Sequence, residues 1–433
     1  MDMDIEKRTL RKITWRIVPF IMILYLIAYI DRVNIGFAAI TMKEDLGFTA
    51  SILGFGAGIF FLGYFLFEVP SNIILHKVGA RIWIARVMVT WGIIAGGMAF
   101  VESSTSFYVM RFLLGVAEAG FFPGIILYLS YWFPARNRAG VIALFMAAAP
   151  IATAIGSPIS AALLEMHGIM GLAGWQWMFL IEAIPAVILG VVVFFYMTDR
   201  PEKAAWLKPD EREWLVKTMQ AEDANKGDKQ HHSILRGLAN PRVLALALIY
   251  FGTSAGLYTL GIWAPQIIKE LGVSSMTVGL LNAIPPIISV VAMILWSRHS
   301  DKTNERTWHV ALACLTAAVG LAIAASTGSM FGLIAALTIV NVGISCSKPP
   351  LWSMPTMFLS GAAAATGIAT INSIGNLGGF AGPAMIGWVK DQTGSFAGGL
   401  YFVAGLLILS TVLTLVLSFT QKNKVNSAEL SNS

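Results

Sequence analysis

The chain has 433 residues, of which 56% are hydrophobic and only 12% charged, with a mean hydropathy of +0.71. Soluble domains carry about 25% charged residues, so this composition excludes an ordinary soluble enzyme or binding module. The net charge of +6 collects in loops between apolar runs, where it orients a membrane protein and gives no reason to invoke nucleic acid.

Backbone groups in lipid must bond internally, so a spanning segment is a helix or part of a closed barrel. Barrel strands alternate over about 10 residues, whereas these runs are longer and continuously apolar. In chain order the predicted spans are 17–38, 52–75, 83–101, 106–132, 140–164 and 174–197. A polar stretch follows, then 243–265, 276–297, 308–326, 330–354, 362–388 and 396–419. Each approaches or exceeds the roughly 20 residues that cross a bilayer. The first is too long, lies too far in and lacks the small-residue cleavage pattern of a signal peptide. The expected fold is all-α, with twelve transmembrane helices in two pseudo-symmetric six-helix bundles.

The stretch between the bundles, "TDRPEKAAWLKPDEREWLVKTMQAEDANKGDKQHHS", mixes both signs of charge. A helix is predicted after Pro209, with Trp214, Leu215 and Met219 on one side. His231 and His232 have no neighbouring ligand set and read as linker residues. The domain expectation is an N-terminal bundle at 1–198, a cytoplasmic linker at 199–242 and a C-terminal bundle with a short tail at 243–433. Cys314 and Cys346, the only cysteines, sit in apolar runs and suggest neither a disulfide framework nor a metal site.

Loop charge predicts orientation. Lys7, Arg8, Arg11, Lys12 and Arg16 precede the first span. Lys77 and Arg81, Arg136 and Arg138, Arg298, Lys302 and Arg306, and Lys422 and Lys424 occupy alternate later loops or the tail. The intervening loops are poor in Lys and Arg, which puts both termini and the linker in the cytoplasm. "SNIILHKVGARIW" and "LWSRHSDKTNER" occupy corresponding places in the two halves, as do "AIGSPISA" and "GGFAGPAMIG", and suggest an internal duplication.

Few charges interrupt the spans. A charged side chain at the bilayer centre costs about 2.5–3.5 kcal/mol even on permissive scales. Asp31 and Arg32 are adjacent and point roughly 100° apart on a helix, so each is expected to find its own partner across the bundle. Their residue types fit either a proton or anion site lining a cavity, or an ion pair that only ties helices together. Arg111 and Glu118 lie seven apart and share a face about 10 Å apart along the axis. Counting residues from the helix ends places Arg111 at the depth of Asp31 and Arg32, where the three charges are expected to meet, with Glu118 nearer the midplane.

The chain resembles the major facilitator superfamily over nearly its whole length. Within it the chain is similar to the anion:cation symporter family of bacterial carriers for tartrate, phthalate, sugar acids and related organic anions. The resemblance rests on "YIDRVNIGFA", "GYFLFEVPSN", "RFLLGVAEAGFFPG", "YWFPARNRA" and "GIATINSIGNLGGFAGP". It implies that Asp31 and Glu118 handle protons. It also implies that Arg32 and Arg111 hold the substrate carboxylate or couple it to those acids. An arginine suits that task, since its guanidinium stays charged and matches a carboxylate with two parallel hydrogen bonds. Tyr64 matches a cavity position of the family. Asn372 and Asn376, four apart on one face, match the family in the eleventh span; their amides bond either substrate hydroxyls or a neighbouring helix.

Other candidates come from spacing. Tyr250, Ser254 and Tyr258 recur at i, i+4 and i+8 and form a polar stripe expected to face the centre. Lys348 either snorkels to the cytoplasmic interface or faces the cavity as a further cation that favours a dianion; it carries no borrowed role. Thr153 and Ser157 are weaker candidates, because small polar residues also serve helix packing. Glu68 is read as a gate or inter-helix contact. The superfamily places an acid in a Gly-x-x-x-Asp-Arg-x-Gly-x-Arg loop pattern. Here His76 stands in place of that acid, with Lys77, Gly79 and Arg81 following. The second-half loop retains Asp301 and Lys302. These four charged residues (Lys77, Arg81, Asp301 and Lys302) are expected to grip helix ends in the outward-open state.

The functional expectation is a secondary transporter, not an enzyme, that takes up a small carboxylate with protons by alternating access in the bacterial inner membrane. No cofactor or metal is called for, and the chain is expected to work as a monomer. A proton-coupled exporter and a transporter-like anion receptor are the alternatives. No phosphate-binding loop, metal motif or Ser–His–Asp arrangement is present to support an enzyme or a primary pump.

Overall fold

The computed structural model describes residues 2–224, 240–357 and 361–431. The N-terminal half comprises α1 (Asp2–Val33), α2 (Ile35–Leu46), α3 (Ala50–Val78), α4 (Ala80–Gly97), α5 (Ser104–Glu118), α6 (Phe121–Trp132), α7 (Ala135–Met146), α8 (Ala148–Leu164) and α9 (Gly174–Tyr196). A surface helix, α10 (Pro209–Ala224), follows. The C-terminal half comprises α11 (Pro241–Lys269), α12 (Ser275–Thr303), α13 (Thr307–Ser326), α14 (Met330–Ser353), α15 (Gly361–Asn376), α16 (Gly378–Thr393) and α17 (Ala397–Ser431). No strand occurs among the described residues. His231 and His232 lie outside them.

Eleven stretches are long and apolar enough to cross a membrane. The predicted span 362–388 forms α15 and α16, which meet at Leu377 and complete the set of twelve. Three other predicted spans are also interrupted. The first breaks at Asn34, between α1 and α2; the fourth at Ala119–Gly120, directly after Glu118; the fifth at Ala147. The break at Gly120 is enforced: its φ is +85°, and a Cβ there would lie 2.2 Å from Ser71 Oγ. Three of the four interruptions therefore adjoin charged or amide residues singled out above: Arg32, Glu118 and Asn376. Such broken helices are where transporters place ligand sites.

Contacts between the halves concentrate at the end of the bundle away from the chain termini. There α3 packs on α16, α8 on α12 and α2 on α11. The approach is backbone to backbone. A Cβ on Gly54 would lie 2.4 Å from the Pro383 carbonyl oxygen, and one on Gly36 would lie 2.4 Å from that of Gly261. Asp391 adds a polar clasp, accepting from the backbone N–H of Ala50 at 3.0 Å and of Ser51 at 2.7 Å. Asn282 donates to Ser157 Oγ at 2.9 Å between α12 and α8. Ser157 thus joins the two halves, the packing use that small polar residues offer.

On the opposite side, α10 lies against the start of α1. Leu215 and Met219 are buried, as the one-sided pattern of that helix predicts. Glu211 accepts from Arg8 Nε and Lys12 Nζ, each at 3.0 Å, and from the backbone N–H of Lys208 at 2.9 Å. Burial works against the charged form of Glu211, yet those three donors outweigh it and hold its carboxyl below the usual range.

Candidate functional site

Asp31 and Arg32 diverge from one turn of α1, as their helical angle requires. Asp31 Oδ2 accepts from Trp91 Nε1 on α4 at 2.6 Å. Arg32 turns the other way, into the contact between the halves. Its Nη2 pairs with Glu118 Oε1 on α5. Its Nη1 donates to Tyr258 Oη on α11 at 3.1 Å. All five residues are buried. The guanidinium also lies over the rings of Phe60 and Tyr64, at 5.5 and 5.4 Å from their centroids, where ring faces favour a cation. One guanidinium thereby joins its own helix to two others of the N-terminal half, α3 and α5, and to one of the C-terminal half, α11.

Arg111 does not join this group as expected. It donates from Nε to the carbonyl of Gly56 at 3.2 Å and from Nη2 to that of Ala57 at 3.3 Å, both on α3. Its guanidinium lies 5.1 Å from the Phe60 centroid, so both arginines lie against the same Phe60 ring. The physical reason is local. Arg111 faces a glycine-bearing turn of α3 whose carbonyls are open to its donors, whereas Glu118, two turns further along α5, is the acid that Arg32 reaches.

The C-terminal half supplies the other wall. On α11, Tyr258 meets Arg32, and its ring lies 4.2 Å from that of Phe61. Ser254 is buried one turn from Tyr250 on the same face of α11. Tyr250 packs on Trp352 with ring centroids 4.9 Å apart and covers Gly375 of α15. Ile344 of α14 lies under Gly256 of α11. Lys348 falls between Ile344 and Trp352 on the same strip of α14, at the level of Ser254. It is half-buried and has no hydrogen bond or ion pair among the described residues. Asn372 donates to Glu68 Oε1 at 2.7 Å, and Ser373 donates to Glu68 Oε2 at 3.2 Å. Glu68 is thus an inter-helix contact, and it crosses from α3 in one half to α15 in the other. Asn376 is buried on the same face as Asn372 and makes no hydrogen bond among the described residues.

Residues 21–383 match the family model described as Major Facilitator Superfamily. A protein of Agrobacterium vitis described as a putative tartrate transporter is 75% identical over 420 residues, covering 97% of each chain. This chain belongs to the Major Facilitator Superfamily. At that identity it shares the branch of the superfamily to which the motifs pointed. A quinolone resistance transporter of Acinetobacter baumannii is 41% identical over 96% of each chain. Among solved structures, a D-xylose-proton symporter superimposes with a TM-score of 0.74 at 16% identity, covering 92% of this chain and 97% of the other; that likeness shows the shared fold. The protein is a multi-pass membrane transporter and not an enzyme.

In this transporter the loops predicted to act as latches stay within their own halves. Arg81 donates its backbone N–H to Asp199 Oδ1 at 2.8 Å, with the guanidinium Nε 4.0 Å from Oδ2. Asp301 pairs with Arg306 at 2.6 Å. Lys77 and Lys302 are exposed. His76, in place of the pattern's acid, lies 3.4 Å from Tyr131 Oη.

Three further residues complete the transporter's polar interior and were passed over in the sequence. Trp91 is the partner of Asp31, and an indole within an apolar span gives no warning of that task. Phe60 offers its ring to both arginines. Glu182 on α9 is buried and accepts from Ser160 Oγ at 2.6 Å and Asn34 Nδ2 at 3.0 Å. Its signal was visible: a lone acid in the apolar run "MFLIEAIPAV".

Proposed function

We propose that this transporter imports a small dicarboxylate together with protons, by alternating access. The observation that carries the reading is the Arg32 guanidinium, shared between Glu118 of one half and Tyr258 of the other. While Glu118 is ionised it occupies the fork that a substrate carboxylate needs. Protonation of Glu118 releases the fork, so proton binding and anion binding favour one another. Asp31 is the second proton-handling acid. Arg111 supplies positive potential behind Phe60.

Lys348 and the free amide of Asn376 support a two-headed substrate. One carboxylate sits on Arg32 with Tyr258 and Tyr64; the other is met by Lys348, with Ser254, Tyr250 and Asn372 along the way. The description of the Agrobacterium vitis relative as a putative tartrate transporter agrees with a hydroxylated diacid. Loss of net charge in the loaded site then permits the halves to rock. Glu68 serves as the gate on the side of the termini. Lys77, Arg81, Asp301 and Lys302 steady the alternate state, when the loop ends of the two halves approach each other.

We place the transporter in the bacterial inner membrane as a monomer with both termini cytoplasmic, on the loop-charge bias. The bundles span 1–198 and 243–433, with 199–242 as the cytoplasmic linker. The contacts that join the halves away from the termini then make this conformation closed to the outside. The rival reading is a proton-coupled exporter, favoured by the likeness to a quinolone resistance transporter. Uptake into proteoliposomes separates the two. Tartrate should accumulate only with an inward proton gradient. Transport of hydrophobic cations without transport of any carboxylate would overturn the proposal, and gradient-independent uptake would reduce it to a uniporter.

A further inference from the structure

We propose that Glu182 is a third proton-carrying residue, which shares a transported proton with Asp31 inside the N-terminal bundle. The inference rests on the proton-coupled reading above. Of the carboxylates buried among the N-terminal helices, Glu118 is paired with Arg32 and Glu68 bonds Asn372 and Ser373 of the other half, while Asp31 and Glu182 have no cation partner among the described residues and bond only within their own half. Asp31 and Glu182 sit on helices that pack together, α1 against α9. Asn34 links them: it lies one turn from Asp31, at the break between α1 and α2, and donates to Glu182 Oε2. Ser160 of α8 bonds the other oxygen of Glu182.

The surroundings offer no compensating charge. From α1 the titratable groups in the apolar interior are Asp31 itself, the uncharged Tyr25 and Tyr29, and Arg32, whose guanidinium is turned toward Glu118. From α2 come Lys43, Glu44 and Asp45, all exposed at the end of the bundle away from the termini, where Asp45 accepts from Trp175 Nε1 of α9 at 2.8 Å. Helix α8 has no titratable residue. Helix α4 has only Arg81 and Arg86, near its end on the side of the termini, where Arg86 lies over the Trp83 ring. Two negative charges held together in a low dielectric repel strongly, and one shared proton removes that repulsion.

Two orphaned acceptors support the same conclusion. Asp31 Oδ1 and Asn34 Oδ1 are both buried without a hydrogen bond, and they lie one helical turn apart on the same face. Buried acceptors almost always have a donor. A proton on Asp31 supplies a donor within one helical turn of the Asn34 side-chain oxygen, so one proton answers the need of both. When Asp31 gives up that proton, Glu182 is the adjacent carboxylate that receives or replaces it, with the O–H bond broken at one carboxyl and formed at the other. Counted along α8 and α9, Glu182 lies nearer than Asp31 to the end of the bundle away from the termini. Glu182, Asp31 and the Arg32–Glu118 pair therefore form a descending series. Protons can enter through the N-terminal bundle while the two halves are pressed together at that end.

The test uses the full-length protein in proteoliposomes, with tartrate as solute and a trapped pH dye to count protons. Glu182→Gln should lower the proton flux per tartrate by about tenfold and leave tartrate counterflow within about twofold of wild type. It should also flatten the pH dependence of accumulation between about pH 5 and 8. Glu182→Asp should restore proton flux in part. Unchanged proton flux and pH profile in Glu182→Gln would overturn the proposal. So would loss of counterflow in proportion to proton flux, which marks a structural acceptor. Failure of the wild-type protein to couple tartrate to protons would instead sink the reading on which the proposal stands.

Discussion

Arg32 on α1 and Glu118 on α5 form an ion pair buried between the halves, and the same guanidinium donates to Tyr258 on α11. In the mechanism we propose, substrate capture, proton release and contact between the halves converge on this one side chain. Arg32→Ala leaves Glu118 buried without its cation, a change that costs about 3–5 kcal/mol where it has been measured. Thermal unfolding in detergent should show a marked loss of stability. Removing the stranded charge as well, in the Arg32→Ala/Glu118→Gln double variant, should recover much of it. Tartrate binding should be lost in both variants. Arg32→Lys should not restore it, because an ammonium lacks the planar fork. Equal stability of the single and double variants would show that the pair is not what holds Glu118 in place.

The proposed mechanism assigns Lys348 the discrimination of diacids from monoacids. Lys348→Met keeps the volume and apolar stem but removes the charge. It should raise the KM for tartrate by about 10–100-fold and leave that for a monocarboxylate such as lactate unchanged. Equal effects on both solutes would return Lys348 to a structural role.

The two ends of the bundle are closed to different depths. Away from the termini, backbones meet through Gly54 and Gly36, and carbonyl groups cannot yield as side chains do. Gly54→Ala or Gly36→Ala should push the halves apart there. Spin-label distances across that end should lengthen, with a matching contraction at the end of the termini. No change in either distance would mean that the helices slide rather than rock.

Toward the termini, the contact described between the halves near the site is Glu68 with Asn372 and Ser373. Glu68→Ala should open that side. In a background with Cys314 and Cys346 replaced by Ala, a cysteine at position 376 should react faster with a membrane-impermeant thiol reagent applied from the termini side. An unaltered rate would show that Glu68 is not a barrier.

Outside the bilayer, Glu211 ties α10 to α1 through Arg8 and Lys12. Its carboxyl is held below its ordinary range: burial opposes the charge, but its three donors prevail. A depressed value means that the contribution is complete above the unfolded value and is lost as pH falls through the folded one. Hydrogen exchange in α10 should therefore be slow at neutral pH and accelerate in mild acid. Glu211→Gln should exchange quickly at neutral pH, and its difference from wild type should vanish once wild-type Glu211 is protonated. A difference that persists in acid would assign the anchoring to Leu215 and Met219 alone.

Much of this architecture was legible in the residues. Apolar runs long enough to span a bilayer, separated by short charged loops, admit few folds, because backbone polar groups in lipid must bond within their own helix. The cost of an intramembrane charge likewise marked Asp31, Arg32, Arg111 and Glu118 without any knowledge of their neighbours. The helix interruptions were less visible. Gly120 adopts a positive φ because Ser71 leaves no room for a Cβ, and that neighbour is contributed by another helix.

The sequence by itself determined that this protein is a helical membrane carrier with ionisable groups in its interior, since hydropathy and the cost of burying charge are properties of each residue alone. Only the tertiary structure decided the pairings. Arg32 took Glu118, Arg111 took the carbonyls of Gly56 and Ala57, Asp31 took Trp91, and Glu182 was left beside Asp31 without a cation. Helical periodicity gives the direction in which a side chain leaves its own helix. Which acid, ring or carbonyl it then meets depends on the rotation and depth of the neighbouring helix, and those are set by packing throughout both bundles.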